Sequence, residues 1–165
     1  PRILLVQALA KGDRDELAVQ AACELGVDEI VPWQAARSVS RWDGAKAAKG
    51  RERWATIVRE AAKQAHRSWV PEVASVESTA DLARRAGSQR VLILDPTAAA
   101  PLSAIAPDER DIVLVVGPEG GIAPEEIDRL VAAGAERVLL GDTVLRTSTA
   151  GPAAIAVLNV ARGRW

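Results

Sequence analysis

Five short apolar runs constrain the fold of this chain more than any other feature of its sequence. They occupy residues 3–6, 29–31, 91–94, 112–116 and 137–140. Most of them lack the alternation of polar and apolar residues that is typical of a sheet with one face in water. Continuous runs of this kind are typical of parallel strands that are covered on both faces. We therefore predict an α/β fold with a mostly parallel sheet flanked by helices.

Helical patterns separate these runs and support the same fold. They cover residues 13–25, about 50–66, 79–86, 124–133 and 151–162. Asp13 and Glu16 form a capping-box-like start for the first helix, and Gly26 is placed to end it. The alternation of strands and helices predicts one domain that spans residues 1–165.

Composition excludes several classes of protein. With 165 residues, 48% of them apolar, the chain can bury one sizeable core, and no stretch approaches the length of a membrane span. Cys23 has no second cysteine for an internal disulfide, so we expect a cytoplasmic protein. The sequence has no CxxC pair or histidine cluster and predicts no metal site. The start at Pro1 and the absence of methionine lead us to expect a fragment of a longer protein.

Positive charge is concentrated in one part of the chain, although the net charge is only −1. Residues 35–70 hold nine Lys and Arg against three Asp and Glu. This asymmetry suits a protein that meets phosphates on one face, and it equally suits a solvated helix surface. In this segment Glu60, Gln64 and Arg67 are predicted to share one helix face, and His66 is predicted to lie on the surface.

A glycine-rich loop directly follows the fourth run. It comprises Gly117, Pro118, Glu119, Gly120 and Gly121. Glycine lets a backbone approach a ligand closely, and ligands bind at the carboxyl ends of strands in open α/β sheets. The loop matches neither the dinucleotide nor the P-loop pattern. It indicates either a ligand site or a tight strand-to-helix turn.

The loop after the fifth run, residues 140–150, surrounds a single arginine with apolar, glycine and hydroxyl residues. Ser148 or Thr149 is predicted to cap a last helix that Pro152 begins. Arg146 has no helical neighbour with which to pair. We therefore treat Arg146 as a candidate site residue.

Taken together, these motifs resemble the RsmE-type ribosomal RNA uracil-N3 methyltransferases of the SPOUT superfamily. The resemblance extends over nearly the whole chain, and both glycine-containing loops occur in the family's order. The matching residues are Glu24 to Val27, Ile30, Pro32, Arg37, Ser38, Glu60, Gln64, Arg67, Val70, Pro71, the loop from Gly117 to Gly121, Leu140, Gly141, Leu145, Arg146 and Thr147.

The resemblance implies a trefoil-knotted α/β domain, a homodimer with its active site near the interface, and an upstream PUA-like RNA-binding domain. The implied methyl donor is S-adenosylmethionine, and the implied substrate is 16S ribosomal RNA of the small subunit. The residues implied to bind the donor are Leu94, Gly117, Pro118, Glu119, Gly120, Gly121, Leu140, Gly141, Val144 and Leu145.

The chemistry of such a reaction assigns roles to the arginines. Uracil N3 becomes nucleophilic when it loses its proton, and Arg146 is placed to stabilise the resulting charge on the carbonyl oxygens. A guanidinium rarely deprotonates, so Arg146 is not assigned as a general base. The target base must leave its pair, because N3 is on the Watson–Crick edge. Arg37, Arg53 and Arg67 are our candidates for phosphate contacts.

The chain departs from the family pattern at two positions. Ser148 stands where the family usually has glutamate, and Ala21 stands where it often has lysine. Ser148 makes one alternative plausible, a knotted RNA-binding protein without a cofactor. Two others stay open: a SPOUT enzyme that methylates a ribose 2′-hydroxyl, and a flavodoxin-type nucleotide-binding domain.

Overall fold

All 165 residues are described by the computed structural model. The strands are β1 (Ile3–Ala8), β2 (Glu29–Trp33), β3 (Glu72–Val73), β4 (Arg90–Leu94), β5 (Ile112–Val116) and β6 (Glu136–Val138). The helices are α1 (Arg14–Glu24), α2 (Ala45–Gln64), α3 (Thr79–Arg85), α4 (Pro124–Ala132) and α5 (Thr147–Ala161), with a 3-10 turn at Leu102–Ala104. None of the helices combines the length and the apolar character that crossing a membrane requires.

The six strands form one sheet in the order β3-β2-β1-β5-β4-β6, and every pairing is parallel. This confirms the fold class predicted from the apolar runs. In the centre, Leu5 of β1 lies between Ile30 of β2 and Leu114 of β5. Because all strands run the same way, their carboxyl ends meet at one edge of the sheet. The loops after β4, β5 and β6 are gathered there.

Helices cover both faces of the sheet, which explains the continuous apolar runs. One face packs against α1, α2 and α5, with core residues that include Val19, Trp54 and Ile155. The opposite face packs against α3 and α4 through Leu82 and Leu130. Neighbouring residues of each central strand therefore enter two different cores, and both must be apolar.

The start of α1 differs from the prediction. Asp13 is the N-cap residue, but its side chain makes no capping hydrogen bond. Glu16 instead forms an ion pair with Arg53 of α2, so there is no capping box. The ion pair between Glu16 and Arg53 takes the place of the capping contact that the sequence spacing predicts. The predicted helix end is confirmed, since Gly26 adopts a φ of 92° directly after the C-cap.

The start of α5 also differs from the prediction. The helix begins at Thr147, so Ser148 and Thr149 lie inside its first turn and Pro152 lies within the helix. The predicted hydroxyl cap is therefore wrong. The hydroxyl of Thr147 donates to the carbonyl of Gly117 at 2.8 Å, and this contact fixes the helix start.

The predicted stripe of three side chains on α2 is interrupted. The helix ends at Gln64, and His66 adopts a φ of 53°, so Arg67 does not share the helix face of Glu60 and Gln64. The guanidinium of Arg67 donates to the carbonyls of Cys23 and Val27 at 3.0 and 2.7 Å. His66 is exposed, as predicted.

The segment after β6 runs beside the segment after β4. The amide of Leu139 donates to the carbonyl of Ala100, and the amide of Leu102 donates to the carbonyl of Leu139, both at 2.8 Å. These contacts show that the two segments are adjacent. They do not show whether one segment threads through a loop formed by the other. The trefoil knot stays a prediction.

Candidate functional site

A pocket of about 780 Å³ opens where β4, β5 and β6 end. Its walls come from the three loops that follow these strands, from the starts of α4 and α5, and from Arg14 of α1. Its volume lies within the range of about 300–1,000 Å³ that is usual for small-molecule sites. Its position at the carboxyl ends of parallel strands is where open α/β sheets bind ligands.

Most residues that the sequence marked as a site meet in this pocket. Arg146 lines it, together with all but one of the predicted cofactor residues. The predicted cofactor residues in the lining are Leu94, Gly117, Pro118, Glu119, Gly121, Leu140, Gly141, Val144 and Leu145. Gly120 is the exception. The structure thus brings the two glycine-containing loops together, while their contact with a cofactor stays a prediction.

Two glycines of the first loop have conformational or steric reasons for lacking a side chain. A Cβ at Gly117 would lie 2.6 Å from the Cγ1 of Ile122, and Gly121 adopts a φ of 76°. Gly120 instead lies under Arg37, whose Nη1 donates to the Gly120 carbonyl at 3.0 Å. The loop is therefore both tightly folded and held from outside by Arg37.

Glu119 is fixed at the pocket wall by donors from the start of α1. Its Oε1 accepts hydrogen bonds from the backbone amide of Lys11 at 2.9 Å and from Nη1 of Arg14 at 3.3 Å. Burial works to raise the pKa of Glu119, but its own backbone amide and these donors outweigh burial and lower the pKa. The pocket therefore keeps a negative charge on this side.

A second carboxylate in the pocket, Asp95, was missed by the sequence prediction. Its Oδ1 accepts from the amide and hydroxyl of Thr97, and its Oδ2 accepts from Nε of Arg137 at 2.7 Å. Burial opposes ionisation of Asp95, yet these hydrogen bonds lower its pKa overall. Its position directly after β4 is the feature of the sequence that could have indicated a site residue. The partnership with Arg137, in β6, had no signal in the sequence.

Arg146 is exposed, and it caps α5 by position without a side-chain capping bond. The pocket contains two ion pairs, Arg14 with Glu119 and Arg137 with Asp95, and Arg146 takes part in neither. Its guanidinium is therefore available to a ligand. No three His, Cys, Asp or Glu side chains come together as they would around a metal ion.

The three arginines predicted to contact RNA lie in different surroundings. Arg37 reaches the glycine loop. Arg53 donates to both carboxylate oxygens of Glu16, at 3.0 and 3.2 Å. Arg67 is tied to backbone carbonyls and stacks on Trp69, with its Cζ 5.5 Å from the ring centroid. Only Arg37 contacts a pocket loop, and phosphate binding by all three stays a prediction.

Curated relatives resemble the chain over its whole length. Ribosomal RNA small subunit methyltransferase E of Mycobacterium bovis is 46% identical over a 171-residue alignment that covers 100% of this chain and 65% of the relative. The protein of the same name from Bacillus subtilis is 34% identical and covers 96% of this chain and 65% of the relative. The chain thus spans slightly less than two thirds of these relatives.

Solved structures share the fold closely. A methyltransferase of Legionella pneumophila, in complex with bound S-adenosylmethionine, is 35% identical with a TM-score of 0.90, over 97% of this chain and 66% of that chain. Ribosomal RNA small subunit methyltransferase E of Neisseria gonorrhoeae, bound to S-adenosylmethionine, is 35% identical with a TM-score of 0.89, over 96% of this chain and 65% of that chain.

The family follows from a match of nearly the whole chain to one domain type. The profile of the RNA methyltransferase domain matches residues 1–159. This match agrees with the relatives and with the glycine-containing loops at the pocket, and it confirms the resemblance drawn from the motifs. The chain therefore belongs to the RNA methyltransferase domain family.

Proposed function

We propose that this chain methylates N3 of a uridine in 16S ribosomal RNA of the small subunit, with S-adenosylmethionine as the methyl donor. One observation carries the proposal: the two family-type loops and the unpaired Arg146 meet in a single pocket. The relatives named as ribosomal RNA methyltransferases support the substrate class. The two solved relatives with bound S-adenosylmethionine support the donor.

The residues of the pocket fit this donor. Leu94, Ile122 and Leu140 offer apolar surface to an adenine ring. Glu119 accepts its two hydrogen bonds through Oε1, so its Oε2 is available to a cationic group of the donor. Gly117 has no Cβ, and this allows the tight turn at the pocket wall. S-adenosylmethionine would supply a methyl group that its sulfonium already activates.

The chain's own residues would then align the acceptor and stabilise its charge. Transfer of the N3 proton to solvent water, as the base enters the pocket, spreads negative charge over the neighbouring carbonyl oxygens of uracil. The guanidinium of Arg146 stabilises this charge, because it stays protonated and has no partner of its own in the pocket. The pocket walls hold the acceptor in line and exclude water.

RNA would approach over the glycine loop and the basic segment of α2. Arg37 lies against Gly120 and is therefore the candidate phosphate contact nearest to the pocket. A flipped base would give the pocket access to N3. We further propose that the chain forms a trefoil knot, that it is a homodimer, and that it is cytoplasmic.

Calorimetric titration with S-adenosylmethionine and with its demethylated product tests the donor. Gly117→Ala should abolish or strongly weaken binding, because the added Cβ would collide with Ile122. Gly87→Ala is the matched control, since its Cβ meets only the carbonyl of Arg84, at 3.4 Å, away from the pocket. Gly120→Ala should have a smaller effect than Gly117→Ala, since Gly120 does not line the pocket.

Each alternative gives a different result. Absence of donor binding by the folded wild-type chain would contradict the proposal and favour a cofactor-free RNA-binding protein. Donor binding combined with ribose methylation, found by nucleoside analysis of RNA treated with the complete protein, would favour the 2′-hydroxyl alternative. Binding of a flavin or nucleotide instead of the donor would favour a flavodoxin-type domain.

A further inference from the structure

Gln7 is a buried amide in the centre of the sheet. It belongs to β1, its exposure is 0%, and its strand neighbours Val6 and Ala8 are apolar and equally buried. Leu5 and Leu9, two positions away on either side, belong to the core under α1 and α5. Placing an amide in such surroundings costs free energy unless its polar atoms are hydrogen-bonded. The Nε2 of Gln7 is hydrogen-bonded, whereas its buried Oε1 has no donor.

Gln7 takes part in a hydrogen-bonded chain with only one possible direction. The hydroxyl of Thr147 must donate to the carbonyl of Gly117, 2.8 Å away, because a carbonyl only accepts. The same oxygen then accepts from Nε2 of Gln7 at 2.9 Å. Nε2 also contacts the carbonyl of Ala8 at 3.2 Å. The chain is thus Gln7 to Thr147 to Gly117, which we call the buried relay.

The buried relay joins three parts that meet at the pocket. Gly117 begins the glycine loop, and Thr147 begins α5 directly after Arg146. Both Gly117 and Thr147 line the pocket, whereas Gln7 lies behind them. β1 is paired on both sides, with β2 and β5, so the backbone at Gln7 is held between two strands. The relay therefore links both pocket walls to β1 through hydrogen bonds.

We propose that Gln7 and Thr147 are positioning residues that act through the buried relay on Arg146 and on the carbonyl of Gly117. This inference rests on the proposed function, because it assigns Arg146 a role in methyl transfer. A residue held from the core keeps its side chain aligned without itself touching the acceptor. Loss of the relay should mainly slow the chemical step.

Replacements that remove the hydrogen-bonding groups of the relay test this role. Thr147→Val keeps the shape of the side chain and removes the hydroxyl, and Gln7→Leu removes the amide. Each should lower kcat roughly 10- to 100-fold, because small misplacements near the reacting groups slow catalysis by such factors. The KM for RNA should change less than about threefold, since the candidate phosphate contacts Arg37, Arg53 and Arg67 lie outside the relay. Thr147→Ser keeps the hydroxyl and should retain most of the wild-type kcat.

The double variant and a matched control separate positioning from mere destabilisation. Gln7→Leu combined with Thr147→Val should be no slower than the worse single variant, because both break the same relay. Asn159→Leu removes a similar buried amide bond of α5, from Asn159 Nδ2 to the Leu25 carbonyl at 2.7 Å, far from the pocket. It should lower stability and leave kcat unchanged.

The outcomes distinguish the relay from the proposed function. An inactive wild-type protein that is folded would contradict the proposed function. An active wild-type protein with unchanged kcat in Thr147→Val would overturn the relay, as would an equal loss of kcat in Asn159→Leu. If Gln7→Leu does not fold, Gln7→Met takes its place as the better match in volume, and the same criteria apply.

Discussion

At the scale of single residues, the surroundings of each carboxylate decide its charge. Asp15 is 5% exposed, and its two oxygens accept from the backbone amides of Ala10 and Glu16 at 3.0 and 2.8 Å. No cation pairs with it. Burial is the largest influence and raises the pKa of Asp15 to about 6, although the two amides work against this. Glu119, which has Arg14 as a partner, is shifted in the opposite direction.

The raised pKa of Asp15 predicts a specific dependence of stability on pH. The folded chain binds its proton up to about pH 6, whereas the unfolded chain, with a pKa near 3.8, has already released it. Stability from this group is therefore fully present below about pH 4 and is lost as the pH rises to about 6. Asp15→Asn should remove this loss, so the difference in unfolding free energy between variant and wild type should change by about 1–2 kcal/mol across that window.

Denaturant unfolding at a series of pH values measures this difference. Asp13→Asn removes the same charge from the exposed neighbour at the helix start and controls for the change in net charge. A constant difference between Asp15→Asn and wild type from pH 4 to pH 7 would contradict the assignment.

At the scale of elements, a glycine inside α2 serves packing against the loop that precedes the helix. A Cβ at Gly50 would overlap the indole of Trp42. Trp42 in turn packs edge-on against Trp54 with ring centroids 5.1 Å apart and an interplanar angle of 70°. The backbone amide of Trp42 donates to Oε1 of Gln34 at 2.9 Å. The loop that carries Arg37 is thereby closed onto α2.

Gly50→Ala should therefore destabilise the protein, opposite to the usual effect in a helix. Alanine normally stabilises a helix interior by about 1 kcal/mol relative to glycine. Here the forced displacement of Trp42 should outweigh this gain and give a net loss of about 1–3 kcal/mol. Thermal or denaturant unfolding measures it. Ala48→Gly, at an exposed position of the same helix, should lose about 1 kcal/mol and calibrates the intrinsic preference. A more stable Gly50→Ala variant would show that the indole moves away freely.

At the scale of the whole molecule, the sheet brings the positively charged segment, residues 35–70, close to the pocket. The basic α2 lies on the face of the sheet that also holds α1 and α5. The pocket lies at the edge where β4, β5 and β6 end, and Arg37 connects it to the basic segment through Gly120. The RNA proposed as substrate would therefore meet the basic segment and the pocket together at Arg37.

Salt dependence of RNA binding tests this arrangement. Arg37→Ala and Arg53→Ala should each reduce the slope of log K against log salt by about 1 if each contacts a phosphate. Arg67→Ala should in addition lower stability by about 1–3 kcal/mol, because the carbonyls of Cys23 and Val27 lose their donor. Arg84→Ala, on α3 across the sheet, is the control for charge alone. Slopes unchanged in the first two variants would rule them out as phosphate contacts.

Much of this fold can be predicted from local patterns in the sequence. Continuous apolar runs predict the parallel sheet, because strands covered on both faces cannot alternate. Gly26 ends α1 as its freedom at positive φ predicts. Both glycine-containing loops, with Arg146, were identified from the sequence because their chemistry is local and their order matches a family. β3 has only two residues and so carries no periodicity that could be recognised.

Tertiary structure decided the contacts between residues that are distant along the chain. Glu16 pairs with Arg53 instead of capping α1, and Asp95 meets Arg137 across β4 and β6. Gln7 finds Thr147 across 140 positions of sequence, and that contact accompanies the unexpected start of α5. No local spacing relates these partners, because the sheet brings them together from distant parts of the chain. The sequence by itself thus determined the layers and the pocket loops, and the folded sheet determined which side chains hold that pocket in place.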